Sequence, residues 1–141
     1  MIRETSFQIN SPGEADWKLI QPLIGEFKLD DQDLSIDQFI VCKKGQTLMG
    51  FVRIKKYPDC DELSSLGVLS EHRKKGIGTL LILELLKRSP GDVYIVTVVP
   101  HYFAKIGFEI INPFPSSLVQ KQKECKLTCG SKLPSIMIYK K

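Results

Sequence analysis

The chain is predicted to be an α/β protein, a mixed sheet flanked by helices, and three features of the sequence carry that expectation. Segments with strand patterning and segments with helical periodicity interleave, roughly as β-α-α-β-β-β-α-β-α-β-α-β. "DVYIVTVV" (92–99) is β-branched and apolar on both faces, as a central strand should be. The run from about Gly76 to Arg88 is helical, with Lys87 and Arg88 in its last turn and Pro90-Gly91 behind it as a stop.

From the N-terminus, "RETSFQI" (3–9) alternates and reads as an opening strand. Ser11 is placed as an N-cap, with Pro12 at the first helical position and Glu14 three residues on. Trp17, Ile20, Leu23 and Ile24 then recur at helical spacing, and Gly25 closes that helix. A short helix is expected over 30–38, where the acids favour its N-terminal end. "FIVCKK" (39–44) and "TLMGFVRIKKY" (47–57) flank a Lys44-Gly45 turn and predict a hairpin, broken at Pro58-Asp59. "DELSSLGVL" (61–69) is a strand whose interior Gly67 marks a bulge or a close backbone approach. "PHYFAKIGFEII" predicts a short helix, a turn at Gly107 and a strand. "PFPSSLVQKQKEC" leads into a further helix, and "PSIMIYKK" closes the chain as a strand.

With 141 residues and 43% hydrophobic content, one domain over 1–141 with a buried core is expected. The net charge of +4 suits a small anionic ligand and gives little support for nucleic acid. "MIRETSFQIN" has no signal-peptide core, and the apolar stretch around Leu80–Leu86 is interrupted by Glu84 and too short to span a bilayer. A cytoplasmic protein without membrane partners is therefore expected. There Cys42, Cys60, Cys125 and Cys129 are thiols rather than disulfides. Cys125-x-x-x-Cys129 is at most half a metal site, and no metal is expected.

The densest chemical signal is "EHRKKGIGTLLILELLKR" (71–88). A strand, a basic glycine-containing turn and a helix form an anion cradle. The first helical amides lack internal partners and face outward with the positive end of the helix dipole. Gly76 and Gly78 leave those amides unobstructed, and Arg73, Lys74 and Lys75 raise the local potential. The turn lacks the Gly-Lys-Ser/Thr end of a nucleotide P-loop and the three-glycine spacing of a dinucleotide fold.

"LSSLGVLSEHRKKGIGTLLI" resembles motif A of the GNAT acetyltransferase superfamily, and "VYIVTVVPHYFAKIGFEII" resembles its second landmark. Together they cover about residues 61–111. The resemblance implies a mostly antiparallel, twisted sheet of about six to seven strands with a V-shaped splay, and about four helices. It implies acetyl-CoA as co-substrate, with direct attack by a primary amine in a ternary complex. The pyrophosphate would lie on the amides of Arg73, Lys74, Lys75, Gly76, Ile77, Gly78 and Thr79, and the pantetheine arm along Leu66, Gly67 and Val68. Phe103 falls in the coenzyme site, and the Val68 amide is placed as oxyanion donor. Glu62 takes the place of the general base. The family's tyrosine acid aligns with Phe103, and the tyrosine is displaced to Tyr102, leaving Tyr102 as acid with His101 as a second candidate.

"TVVPHYFAKIGF" and the late "CKLTC" further resemble single-domain N-acetylglutamate synthase-like acetyltransferases, which points to an amino-acid amine. Two departures bear on glutamate itself. Ser64 stands where those relatives carry arginine, and "FKLDDQDL" replaces a basic segment. Lys28, Arg53 and Lys55 remain as cations for a carboxylate, and Asp30, Asp31 and Asp33 suit a cationic amine equally. Lys121, Gln122 and Lys123 read as solvated surface. The acceptor is thus a small-molecule amine or amino acid, with a homodimer possible. A non-catalytic acyl-CoA-binding module and a protein N-acetyltransferase are the alternatives.

Overall fold

The computed structural model describes residues 7–112, 114–129 and 134–141, and only the backbone over 124–129. Among the described residues, seven strands form one sheet in the order β1-β2-β3-β4-β5-β7-β6. They are β1 (Gln8–Asn10), β2 (Phe39–Lys44), β3 (Thr47–Lys56), β4 (Asp61–Val68), β5 (Val93–Thr97), β6 (Glu109–Ile110) and β7 (Ser135–Tyr139). The helices are α1 (Glu14–Glu26), α2 (Ile77–Arg88), α3 (Pro100–Ile106) and α4 (Ser117–Cys129). The sheet is mixed: β4 and β5 are parallel, while β1–β2, β2–β3, β5–β7 and β6–β7 are antiparallel. The ladder of β4 with β5 covers Asp61↔Val93 and Glu62↔Tyr94.

The contacts form two compact units. The first comprises residues to Ile54 with Ser64–Arg88, and the second Lys55–Leu63 with Ser89–Lys141. In the first, Ile20 and Ile24 of α1 pack on Phe39, Val41, Leu48 and Phe51. Phe39 lies between Trp17 and Phe51, with ring centroids 5.3 and 6.0 Å away. The other face receives α2, whose Ile77, Leu81, Ile82, Leu85 and Leu86 are buried. A Cβ on Gly50 would come within 3.3 Å of Ile77 and 3.2 Å of Leu81, so glycine lets the first turn of α2 lie flat on β3. In the second unit, Phe103, Phe108 and Tyr139 form an aromatic run with centroid separations of 5.5 Å at each step.

Two local expectations are corrected. The helix α1 starts at Glu14 with Gly13 as N-cap, because the Asp16 carboxylate reaches back to the Gly13 N–H at 2.9 Å. Ser11 therefore lies outside the helix. The segment 30–38 is not an α-helix and contains only a 3₁₀ turn at Ile36–Gln38. Its carbonyls serve a different donor. Arg53 Nη1 donates to the Asp30 carbonyl at 3.0 Å and Nη2 to the Gln32 carbonyl at 2.6 Å, while Nε donates to Gln38 Oε1 at 2.8 Å. Asp33 adopts a left-handed φ of 57°, which also breaks a helix. For the strand expected over 3–9, residues 3–6 lie outside the described residues, and β1 is seen at Gln8–Asn10.

Candidate active site

In the first unit, β4, the following turn and α2 build the predicted cradle. Gly76 O accepts the Leu80 N–H at 3.1 Å, so the helix opens immediately after Gly76. The amides of Ile77 and Gly78 therefore belong to the turn that lacks intrahelical partners. Lys74 and Gly76 both have left-handed backbones, with φ of 66° and 80°. Left-handed residues set among right-handed or extended ones turn successive N–H groups toward a common point, which suits an anion. A Cβ on Gly76 would meet nothing within 4 Å, so the space beside these amides is open. Lys74 and Lys75 are exposed. Arg73 behaves differently: its Nε donates to the Val68 carbonyl at 2.8 Å, and its guanidinium lies 5.3 Å from the Phe27 ring centroid. The arginine thus ties the turn back to the end of β4.

The strand before this turn packs closely on the Phe51 face of β3. Phe51 and Arg53 alternate on one face of β3, with Arg53 on the Asp30 carbonyl. Ser64 Oγ donates to Asp30 Oδ2 at 3.3 Å, on that same face. A Cβ on Gly67 would strike the Phe51 ring at 2.5 Å, again on that face. Gly67 is thus a point of close approach, with the Phe51 ring in the space a side chain would take. Leu66, Gly67 and Val68 form the end of β4.

In the second unit Glu62 is 1% exposed. Its Oε1 accepts from the Tyr57 hydroxyl at 3.0 Å, and its Oε2 accepts from Lys121 Nζ at 2.8 Å. Lys121 is therefore not solvated surface. It is 17% exposed and ion-paired with a buried carboxylate. The placement follows from α4, whose N-terminus is held by Asp59. The Asp59 carboxylate accepts from the Ser117 amide at 3.3 Å, from the Ser117 hydroxyl at 2.5 Å and from the Ser116 hydroxyl at 3.3 Å. These hydrogen bonds, the Ser117 hydroxyl first, hold the Asp59 carboxyl below its usual range. Lys121 lies one helical turn beyond Ser117. Tyr57 and Lys121 are the residues that sequence reading missed. No local pattern marks them, because each becomes notable only through its contact with Glu62.

Tyr102 is 37% exposed and meets Phe103 edge-on, with centroids 5.0 Å apart. Phe103 is 5% exposed and packs onto Phe108. His101 is exposed. Arg53 is fully buried, and its five-donor fork holds the 30–38 segment. It is thus engaged inside the fold. Lys55 Nζ lies 5.5 Å from the Tyr57 ring centroid. Cys42 and Cys60 are free thiols, and the thiols of Cys125 and Cys129 lie outside the described side chains. Burial, then the acids Asp59, Glu62 and Asp61, push Cys60 up to about 12. Among the described residues, no group of His, Cys, Asp or Glu is arranged to hold a metal ion, and no helix is long and apolar enough to cross a membrane.

Solved structures share this fold at low sequence identity. N-acetylglutamate synthase from Neisseria gonorrhoeae, with coenzyme A and N-acetyl-glutamate, has a TM-score of 0.75 at 17% identity, over 98% of this chain and 36% of that one. This chain therefore spans about a third of that enzyme's length. Rv2747 from Mycobacterium tuberculosis, in complex with CoA, gives a TM-score of 0.72 at 15% identity, over 95% and 99% of the two chains. The ribosomal-protein-S18-alanine N-acetyltransferase from Escherichia coli gives 0.65 at 15% identity, over 96% and 94%. No curated protein matches the sequence. The sequence profile of the Acetyltransferase (GNAT) family matches residues 7–108, which takes in β1 through α3 with the glycine turn and Glu62. The chain belongs to the GNAT acetyltransferase family.

Proposed function

We propose that the chain moves an acetyl group from acetyl-CoA to the primary amine of a small molecule, an amino acid foremost, within a ternary complex. The observation that carries this reading is the cradle at the start of α2, where open space adjoins outward amides and exposed Lys74 and Lys75. It fits a diphosphate on the amides from Arg73 to Thr79. The neighbours supply the ligand class: N-acetylglutamate synthase and Rv2747 were solved with coenzyme A. The former's N-acetyl-glutamate supports an amino-acid acceptor.

Each residue then has a task. The end of β4 at Leu66–Val68 offers backbone groups to the pantetheine arm, and the Val68 N–H steadies the oxyanion of the tetrahedral intermediate. An amine with a reference pKa of about 10 is mostly protonated at pH 7 and must lose a proton before attack. Glu62 takes that proton. Burial keeps its carboxylate in one orientation, with the Tyr57 hydroxyl on one oxygen. Phe103 supports Tyr102 edge-on, and the Tyr102 phenol protonates the departing thiolate.

The test is a screen of amines and amino acids read by free thiol, beside calorimetric titration with coenzyme A. Glu62→Gln is expected to lower turnover by about 10²–10⁴-fold with coenzyme affinity retained. Tight binding with no thiol released by any acceptor would identify a binding module instead.

A further inference from the structure

Arg73 is exposed, yet its side chain is held at two points. Its Nε donates to the Val68 carbonyl at 2.8 Å, and its guanidinium carbon lies 5.3 Å from the Phe27 ring centroid, within cation–π range. An exposed arginine is ordinarily left to water, and holding it costs side-chain freedom. The next residue supplies a reason. Lys74 has a left-handed φ of 66°, a region that a residue with a Cβ enters only at a cost. Such a conformation persists where its surroundings hold it, and it gathers at ligand sites. The backbone hold at this point is slight, since the Arg73 N–H reaches the Ser70 carbonyl only at 3.5 Å. The arginine side chain is the firmer tether of the residue that leads into the left-handed step.

We infer that Phe27 is a positioning residue for coenzyme binding, which holds Arg73 and through it the left-handed shape of the cradle. The inference rests on the cradle as the site of the coenzyme's diphosphate, and its residues all lie in the first unit. Packing on Phe51 accounts for the place of the Phe27 ring in the core. It does not account for a guanidinium held over that ring and followed directly by a strained lysine.

The way Phe27 is fixed suits it to this task. It ends α1, where its N–H donates to the Leu23 carbonyl at 2.8 Å. Lys28 then turns left-handed, with φ of 56°, and the Leu29 N–H returns to the Ile24 carbonyl at 2.9 Å, which closes the helix end. The Phe27 ring stacks on Phe51, 9° from parallel, and Phe51 is fully buried and fills the space beside Gly67. The same pair of rings therefore backs both the end of β4 and the turn that follows it. A turn already in its binding shape gives up less freedom when the anion arrives. That raises affinity with no contact between Phe27 and the coenzyme.

The experiment titrates coenzyme A calorimetrically into the full chain carrying Phe27→Leu, Phe27→Tyr, Arg73→Met, or Phe27→Leu with Arg73→Met, and records the melting temperature of each. Phe27→Leu should weaken coenzyme A binding about two- to fivefold, the range that an exposed cation–π contact supports. Phe27→Tyr keeps a π face and should restore the wild-type affinity. In the Arg73→Met background, Phe27→Leu should have no further effect, whereas loss of a purely structural ring would weaken binding equally in both backgrounds. Phe27→Met takes the place of the leucine variant if that one does not fold. Wild-type affinity in Phe27→Leu, or an equal loss with and without Arg73, overturns the inference and leaves the cradle standing. If the wild-type chain takes up no coenzyme A, the cradle fails as the coenzyme site and this inference fails with it.

Discussion

The Phe51 ring occupies the space where a side chain at Gly67 would begin: a Cβ there would lie 2.5 Å from Cζ and 2.9 Å from Cε2. Phe51 is fully buried and also stacks on Phe27, at a centroid separation of 6.4 Å, so it has no room to retreat. Gly67 of β4 is thus tied to the core of the first unit. Gly67→Ala is expected to destabilise the fold by about 1–3 kcal/mol, the usual cost of overpacking, as read from urea denaturation. Coenzyme affinity should fall as well, since the backbone at the end of β4 must shift. Unchanged stability would show that Phe51 relaxes freely.

The cradle predicts a graded response. Lys74→Ala and Lys75→Ala should each weaken coenzyme A binding by about 0.3–1 kcal/mol at low salt. The difference should shrink at 1 M salt, where charges are screened within about 3 Å. Gly76→Val should do more. It places a β-branched residue at φ +80° and fills the open space beside the amides. Calorimetry at two ionic strengths separates the effects, and a salt-independent loss for the lysines would count against an electrostatic role.

Arg53 makes a prediction about folding, not chemistry. Its guanidinium donates to the Asp30 and Gln32 carbonyls and to Gln38, with no solvent exposure. Arg53→Met should cost about 3 kcal/mol, because two carbonyls and Gln38 Oε1 lose their donor and the nearby Asp30 carboxylate loses its countercharge. Arg53→Lys should not restore stability, since an ammonium cannot span these acceptors as a planar fork does. Amide exchange over 30–38 should rise in both variants, and protection equal to wild type would refute the bracing role.

Cys60 offers a pH test. Its thiol is pushed up to about 12, chiefly by burial and then by Asp59, Glu62 and Asp61. At pH 8 the folded chain should hold on the order of a thousandfold less Cys60 thiolate than an unperturbed cysteine of pKa about 8.5. Alkylation by iodoacetamide should be correspondingly slow. It should rise roughly tenfold per pH unit toward the alkaline side, because only the thiolate reacts. Unfolding in urea should abolish the difference. Fast labelling of Cys60 at pH 8 in the folded protein would contradict the environment described for it.

The order and type of nearly every element, the hairpin, the turn at Gly76 and the close approach at Gly67 follow from alternation, helical period and the special backbone freedom of glycine. These are local properties, carried by residues a few positions apart, and the sequence alone determined them together with the family. The segment 30–38 failed that reading because Arg53, fifteen or more residues downstream, takes its carbonyls. Lys121 failed it because a lysine on a polar helix has the same pattern whether it meets water or Glu62, 59 residues away. Only the tertiary structure decided those two partnerships. Burial made the carboxylate and the guanidinium find partners, and which partner was within reach depended on how distant segments pack.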